Sequence, residues 1–123
     1  MGLTNAEEQL MKYLWKLDKA FFKGLISQFP EPKPAVTTVN TLLKRMIDKG
    51  FVNYKLFGNS REYYPLVKKN DYFARHIKSI IKDFYSDSSS QFASFFTKET
   101  NLTAAELKEL RKIIDDEIKT KKP

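Results

Sequence analysis

A run of short polar and cationic side chains between residues 36 and 49 has the composition of a surface that reads nucleic acid. Hydroxyl and amide groups form hydrogen bonds to base edges in the DNA major groove, whereas Lys and Arg side chains grip phosphate. We therefore expect DNA contact from the non-acidic polar residues that flank the apolar positions of this run. They are Thr37, Thr38, Asn40, Thr41, Lys44 and Arg45.

Ordinary structural roles remain open for several of these side chains. The Thr38 hydroxyl could bond a carbonyl of its own helix, and Arg45 could pair with Asp48 three residues later. Asn40 could pair with adenine or simply stay solvated, and an exposed Lys44 needs no partner. The residue types alone favour DNA contact without excluding these alternatives.

The same run has the periodicity of a helix, followed by a hairpin. Apolar residues recur at helical spacing and predict a buried stripe of Val39, Leu42, Leu43, Met46 and Ile47. After Gly50 the period becomes two, and Gly58-Asn59 separates two aromatic-rich segments as a hairpin turn would. We predict a recognition helix over about 36–49 and a wing over about 51–65, the winged form of helix-turn-helix.

Two cations, Lys55 and Arg61, fall on the predicted wing. They suit contact with phosphate or with the minor groove. The alternative is that they only discourage pairing at an exposed strand edge.

The charge of the chain is concentrated on this helix and hairpin. The chain has 123 residues and a formal net charge of +7. Residues 35–70 hold seven Lys and Arg residues against two Asp and Glu residues, whereas the segments on either side are nearly balanced. Such a local excess is the electrostatic footprint expected of a protein that binds a polyanion.

Several function classes are excluded by composition. The chain contains no cysteine and a single histidine, and its four glycines are scattered. Thiolate metal sites, disulfides and Gly-rich phosphate loops are therefore absent, and we expect neither an enzyme, nor a metal site, nor a cofactor. No signal peptide or membrane-length apolar run is present, so we expect no membrane insertion and a soluble, cytoplasmic protein.

Capping patterns indicate where the other helices begin. Thr4 with Glu7 predicts a first helix to about Asp18, and Thr103 with Glu106 predicts a last one. A second short helix is expected over 21–29, before the rigid proline-rich turn 30–34. The first helix should bury a stripe of Leu3, Ala6, Leu10, Leu14 and Leu17, with Met11 and Trp15 beside it and Trp15 anchored beneath the recognition helix.

The tail is predicted to form three helices, over about 71–85, after Ser88 and after Thr103. A tail of this size has too little volume to bury its large apolar side chains alone, so we expect it to pair with a second copy, packing back on the winged domain being the alternative. The division would be a winged-helix domain at 1–69 and a helical dimerisation domain at 70–123, in a mainly α fold with a small β-hairpin. Predicted interface residues are Ile77, Ile80, Ile81, Phe84, Phe92, Phe95, Phe96, Leu107, Leu110, Ile113 and Ile114.

The chain resembles the penicillinase repressor family of bacterial transcription factors, of the BlaI, MecI and CopY types. The resemblance is carried by Glu7, Met11 and Leu14-Trp15, by the run Thr38 to Gly50, by Tyr63-Tyr64-Pro65, and by the Leu107 to Leu110 helix. It implies a homodimeric repressor that binds a dyad-symmetric operator in double-stranded DNA. The residues that it carries over as operator contacts are Thr38, Thr41, Arg45 and, as a weaker match, Arg61.

Two departures from the family concern its inducing signals. Copper-responsive members have a C-terminal cysteine cluster, which this chain lacks. β-Lactam-responsive members are cut at an Asn-Phe bond by a membrane-bound sensor protease, but Phe95-Phe96 stands at the position that matches best. Cleavage by such a partner is therefore in question. A winged-helix adaptor for protein-protein contact, without DNA binding, is the alternative function.

Overall fold

The computed structural model describes residues 2–121. The elements in chain order are α1 (Asn5–Leu17), β1 (Ala20–Phe21), α2 (Phe22–Gln28), α3 (Val36–Asp48), β2 (Val52–Phe57), β3 (Ser60–Pro65), α4 (Lys69–Phe84), α5 (Ser89–Glu99) and α6 (Ala104–Lys121). The predicted fold class, a mainly α winged helix with a small β-hairpin, is confirmed.

The chain separates into two compact units, with the boundary between His76 and Ile77. We call them the winged-helix unit, up to His76, and the helical tail, from Ile77. The sequence suggests a boundary at 69/70, but the first turns of α4 belong to the winged-helix unit because Tyr72 is buried there. Among residues 2–121, no helix is both long enough and apolar enough to cross a lipid bilayer.

The sheet of the winged-helix unit has three antiparallel strands in the order β1-β3-β2. The hairpin β2–β3 turns at Gly58-Asn59, as predicted. The third strand was not predicted: Ala20 pairs with Tyr63 and Phe21 with Glu62. The expectation of a helix beginning at Phe21 was therefore wrong by one residue, because the backbone of Phe21 is taken up by the sheet.

One apolar core lies between α1, α2, α3 and the sheet. Its fully buried members are Leu10, Met11, Leu14, Leu25, Val39, Leu43, Met46 and Val52. The predicted stripe of α3 is confirmed, with Leu42 also buried and Ile47 at its margin. On α1 the prediction for Ala6 was wrong: Ala6 is exposed and the neighbouring Glu7 is buried instead.

The predicted capping boxes are both present. The Thr4 hydroxyl accepts from the Glu7 amide at 3.2 Å, and the Glu7 carboxylate accepts from the Thr4 amide at 2.8 Å. Thr103 and Glu106 make the same two bonds, at 3.1 and 2.9 Å, and these bonds lower the pKa of Glu106. Each pair satisfies backbone donors that the first turn of a helix leaves free.

Trp15 contacts the start of α4. Its indole donates to the Val67 carbonyl at 2.8 Å, and its ring lies 5.9 Å from Tyr72 and 5.8 Å from Phe73. The Tyr72 hydroxyl donates to the Glu8 carboxylate at 2.9 Å, and burial raises the pKa of this tyrosine. The expectation that Trp15 lies beneath the recognition helix gives way to a role at the junction of α1 and α4.

The helical tail contains no buried side chain among its described residues, 77–121. Aromatic rings contact one another within it, the Tyr85 ring centre lying 5.7 Å from that of Phe92 and 5.6 Å from that of Phe95. Of the predicted interface residues, Ile80, Ile81, Phe92 and Leu110 are half-buried within the tail, and the others are exposed. The exposed fraction reaches 77% for Phe84 and 60% for Ile113. The tail therefore presents apolar side chains that it does not cover itself.

Candidate nucleic-acid interface

The outer face of α3 carries six of the predicted DNA-contacting residues, and every one of the six is exposed. Because successive helical residues advance by about 100°, Thr37, Thr41 and Lys44 lie opposite the buried stripe of this helix. Asn40 lies on one flank of this face, whereas Thr38 and Arg45 lie together on the other. α3 thus presents a polar ridge with two different sides.

The two flanks differ in what faces them. Asn40 and Lys44 line a groove between α3 and the hairpin, and Arg61 lines the same groove from the wing. Thr38 and Arg45 are not among the residues that line it. The structure thus brings Asn40, Lys44 and Arg61 together and sets Thr38 and Arg45 on the open side of α3.

Arg61 and Lys55 lie on opposite faces of the wing. In the register of the hairpin Leu56 is paired with Arg61, and Lys55 with Glu62. The Arg61 guanidinium stacks 4.3 Å above the centre of the Tyr54 ring, an attraction between a cation and the negative face of an aromatic ring. This contact holds Arg61 toward α3, while Lys55 points away from the groove.

Two structural roles on α3 were left open by the sequence alone, a hydrogen bond from Thr38 to its own helix and an ion pair between Arg45 and Asp48, and the described part of the chain shows neither. It is Thr41, and not Thr38, whose hydroxyl donates to a carbonyl of the same helix, that of Thr37 at 2.9 Å. Within residues 2–121 Arg45 forms no ion pair with Asp48 or any other carboxylate. The guanidinium of Arg45 is therefore available to an external partner.

An ion pair fixes the far end of α3 and was missed in the sequence. Lys49, the residue that ends α3, donates to both carboxylate oxygens of Glu7, at 2.8 and 2.9 Å. Burial disfavours the charged form of Glu7, but Lys49 and the Thr4 bonds outweigh it, and the pKa of Glu7 lies below its ordinary value of 4.5. In the sequence, this ion pair is visible only as a capping Glu and a Lys 42 residues apart, and no local pattern connects two residues so distant.

The described residues offer no arrangement for catalysis by a metal. Across residues 2–121 no three His, Asp or Glu side chains gather where they could hold a metal ion. The chemistry available on the surface of the winged-helix unit is that of hydrogen-bond donors and cations on an exposed helix and wing. This is an arrangement for binding an anion.

Comparison with known proteins agrees with this description. The family model described as penicillinase repressor matches residues 3–116. The methicillin resistance regulatory protein MecI of Staphylococcus aureus strain N315 is 26% identical over 114 residues, which cover 92% of this chain and 93% of MecI. The penicillinase repressor of Bacillus licheniformis is 26% identical over 121 residues, covering 98% and 94% of the two chains.

Among solved structures, one described as a CopR repressor structure is similar to part of the chain. It has 30% sequence identity and a TM-score of 0.47, and it covers 55% of this chain and all of its own. The family model spans nearly the whole chain, across both the winged-helix unit and the tail. The chain therefore belongs to the penicillinase repressor family, whose members are DNA-binding transcriptional regulators and not enzymes.

Proposed function

We propose that the chain is a homodimeric repressor that binds a dyad-symmetric operator, with α3 of each subunit in the major groove and the wing beside it. The observation that carries this proposal is the outer face of α3. Its hydroxyl, amide and cationic groups are all exposed, and neither Lys44 nor Arg45 is engaged by a carboxylate within residues 2–121. An exposed polar helix face whose cations form no ion pair within residues 2–121 suits base edges and phosphates better than a protein partner.

The two sides of α3 suggest a division of contacts. Thr37, Thr38 and Thr41 are short enough to approach base edges closely, whereas Lys44 and Arg45 extend to the phosphates. Asn40 is able to form two hydrogen bonds with adenine. On the wing, Arg61 faces the same duplex, and Lys55, on the opposite face, contributes only to the general positive field.

The tail supplies the reason for a dimer. Burying a large aliphatic or aromatic side chain is worth about 1.5–3 kcal/mol, and the exposed apolar side chains of the tail would gain it when two tails associate. Pairing through the apolar residues of α4, α5 and α6 would repeat the recognition helix by twofold symmetry. Two such helices fit successive major grooves when they are about 34–36 Å apart, so the half-sites should lie about one helical turn apart or a multiple of it.

The proposed place of action is the cytoplasm, where the chain would block transcription by occupying a promoter. We assign no cleavage by a sensor protease to Phe95-Phe96. The Asn of the family's Asn-Phe pair is absent there, and both residues lie inside α5. The inducing signal would then act by another route.

The proposal is tested by sequencing genomic DNA fragments that the purified full-length protein retains. The expected result is a shared motif of two inverted half-sites, bound by a dimer. With about three phosphate contacts per subunit, the logarithm of affinity should fall with the logarithm of salt concentration with a slope of roughly −5. No enrichment, together with a salt-independent response, would favour the protein-protein adaptor instead.

A further inference from the structure

The groove between α3 and the wing has a lining that the DNA contacts predicted above do not fully explain. We call it the α3–wing groove, and its volume is about 1130 Å³. Its apolar floor includes Phe22, Leu43, Ile47 and Tyr63, and its rim includes Asn59 and Ser60 of the hairpin turn. The lining belongs entirely to the winged-helix unit.

Three cations from three different elements surround this floor. They are Lys23 of α2, Lys44 of α3 and Arg61 of β3, and all three are exposed. None of the described residues that line the groove is acidic. Within residues 2–121 none of these three side chains takes part in an ion pair. Like charges arranged in this way repel one another, and a bound anion would relieve that repulsion, so the groove favours anion binding.

The shape of the groove favours an extended polyanion over a compact one. A compact anion is usually held by buried donors aimed at it, but no buried side-chain N or O atom in the described part of the chain lacks a hydrogen-bond partner. The cations lie instead on three separate elements around the apolar floor. Phosphates spaced along one strand would meet the cations in turn, while deoxyribose packs on the floor.

We propose that the α3–wing groove holds one phosphodiester strand of the bound duplex, and that Lys23 is a phosphate-binding residue together with Lys44 and Arg61. This inference rests on the proposed function, because it assigns part of the same duplex to a second surface beside α3. It extends the DNA-binding surface to α2, for which the sequence alone indicates no functional role. Lys23 gives no signal there because it stands alone among apolar residues.

The test uses the full-length protein and a fluorescein-labelled duplex of random sequence, with affinity measured by anisotropy over a series of salt concentrations. Lys23→Gln removes the charge without a large change in size. Removing one phosphate-binding cation makes the salt slope less negative by about 0.9, so the slope for a dimer should change by about 1.8. At low salt the affinity should fall roughly threefold to tenfold for each cation removed.

The matched control is Lys12→Gln, an exposed lysine of α1 that does not line the groove. The proposal predicts a clear decrease in affinity for Lys23→Gln and almost none for Lys12→Gln. Equal slopes for the wild type and Lys23→Gln, or equal decreases for the two variants, would overturn it. If the wild type itself failed to bind any duplex, the proposed function would fail first, so the two failures are distinguishable.

Discussion

Arg45 and Arg61 illustrate how two equal charges differ in their surroundings. Arg61 is stacked on Tyr54 and faces the α3–wing groove. Arg45 stands on the other flank of α3, exposed and without an ion pair among residues 2–121. A guanidinium held by an aromatic ring loses less freedom on binding, whereas a free one contributes only when a partner orders it.

Replacing Arg45 by Ala should weaken operator binding at least about tenfold, which corresponds to about 1.4 kcal/mol. The substitution removes an exposed side chain, so the circular dichroism spectrum and the unfolding midpoint should stay as they are. Lys12→Ala serves as the control for loss of one charge. Unchanged affinity in the Arg45 variant would remove this residue from the proposed interface.

Removing one partner of the Glu7–Lys49 pair should cost more stability than removing the other, because the two side chains differ in exposure. The Glu7 side chain is 1% exposed and that of Lys49 is 35% exposed. Lys49→Met leaves a buried carboxylate without its counter-ion and should cost about 3 kcal/mol. Glu7→Gln leaves a cation that water can solvate and should cost only about 1–2 kcal/mol. Urea unfolding at neutral pH would measure both, and a larger cost for Glu7→Gln would contradict this asymmetry.

The same pair sets a dependence on pH. The pKa of Glu7 in the folded chain lies below 4.5, so its contribution to stability is present above that value and is lost as the pH falls through the folded pKa. Glu7→Gln has no carboxylate to protonate at this position. The stability difference between the wild type and this variant should therefore be largest at neutral pH and shrink in acid. A difference that stays constant down to pH values well below 4.5 would contradict the assignment.

At the scale of elements, two glycines should respond in opposite directions to replacement by Ala, because their backbone conformations differ. Gly58 in the hairpin turn has φ of +62°, a region that disfavours a side chain, although no atom lies near its missing Cβ. Gly24 lies within α2, where an added Cβ would meet the Ala20 Cβ at an ordinary 3.6 Å. The two positions therefore differ in backbone strain and not in crowding.

Gly58→Ala should destabilise the winged-helix unit by about 1–2 kcal/mol, whereas Gly24→Ala should stabilise it by about 0.5–1 kcal/mol. Denaturant unfolding of the two variants beside the wild type would measure the opposite signs. A Gly58→Ala variant as stable as the wild type would show that the turn does not require a left-handed residue, and a destabilised Gly24→Ala variant would contradict the expectation for α2.

Elements whose signals are local could be predicted from the sequence. The capping pairs of α1 and α6, the stripe of α3 and the turn at Gly58-Asn59 each depend on residues within one or two turns. Strand β1 could not be predicted, because a two-residue strand has no period of its own and exists only through pairing with β3. Without that pairing, the residues around Phe21 show only the apolar spacing of the following helix, and this spacing led to the prediction of a helix beginning at Phe21.

The residues of the candidate interface also divide into those that a local pattern predicts and those that only the folded chain brings together. The exposure of Thr37, Thr38 and Arg45 followed from helical periodicity alone. The meeting of Lys23, Lys44 and Arg61 did not, because it depends on how α2, α3 and the wing fold around one core. Glu7 was predictable only as a cap, since its burial requires Lys49 from a distant part of the chain.

At the scale of the whole molecule, dimerisation and DNA binding should be lost together. Leu110→Asp places a charge among the apolar residues of the tail and should give a monomer on analytical ultracentrifugation. Because binding of the second half-site then becomes a separate event, operator affinity should fall at least about a hundredfold. A monomer that still bound the operator with full affinity would refute this coupling.

The control for this experiment is Leu66→Asp. Leu66 is an exposed apolar residue of the winged-helix unit and lies outside both predicted interfaces. The same change there should leave the dimer and its operator affinity intact. Dissociation of the dimer in both variants would indicate a general effect on folding.

The absence of a buried side chain from the described part of the tail also has a thermodynamic consequence. On the proposed assembly, ordering the tail and associating the subunits are one bimolecular reaction, so the melting temperature of this unit should rise with total protein concentration. Dilution would then loosen the fold as well as separate the chains. The abundance of the regulator in the cell would thereby govern both how much of it is structured and how fully its promoters are silenced.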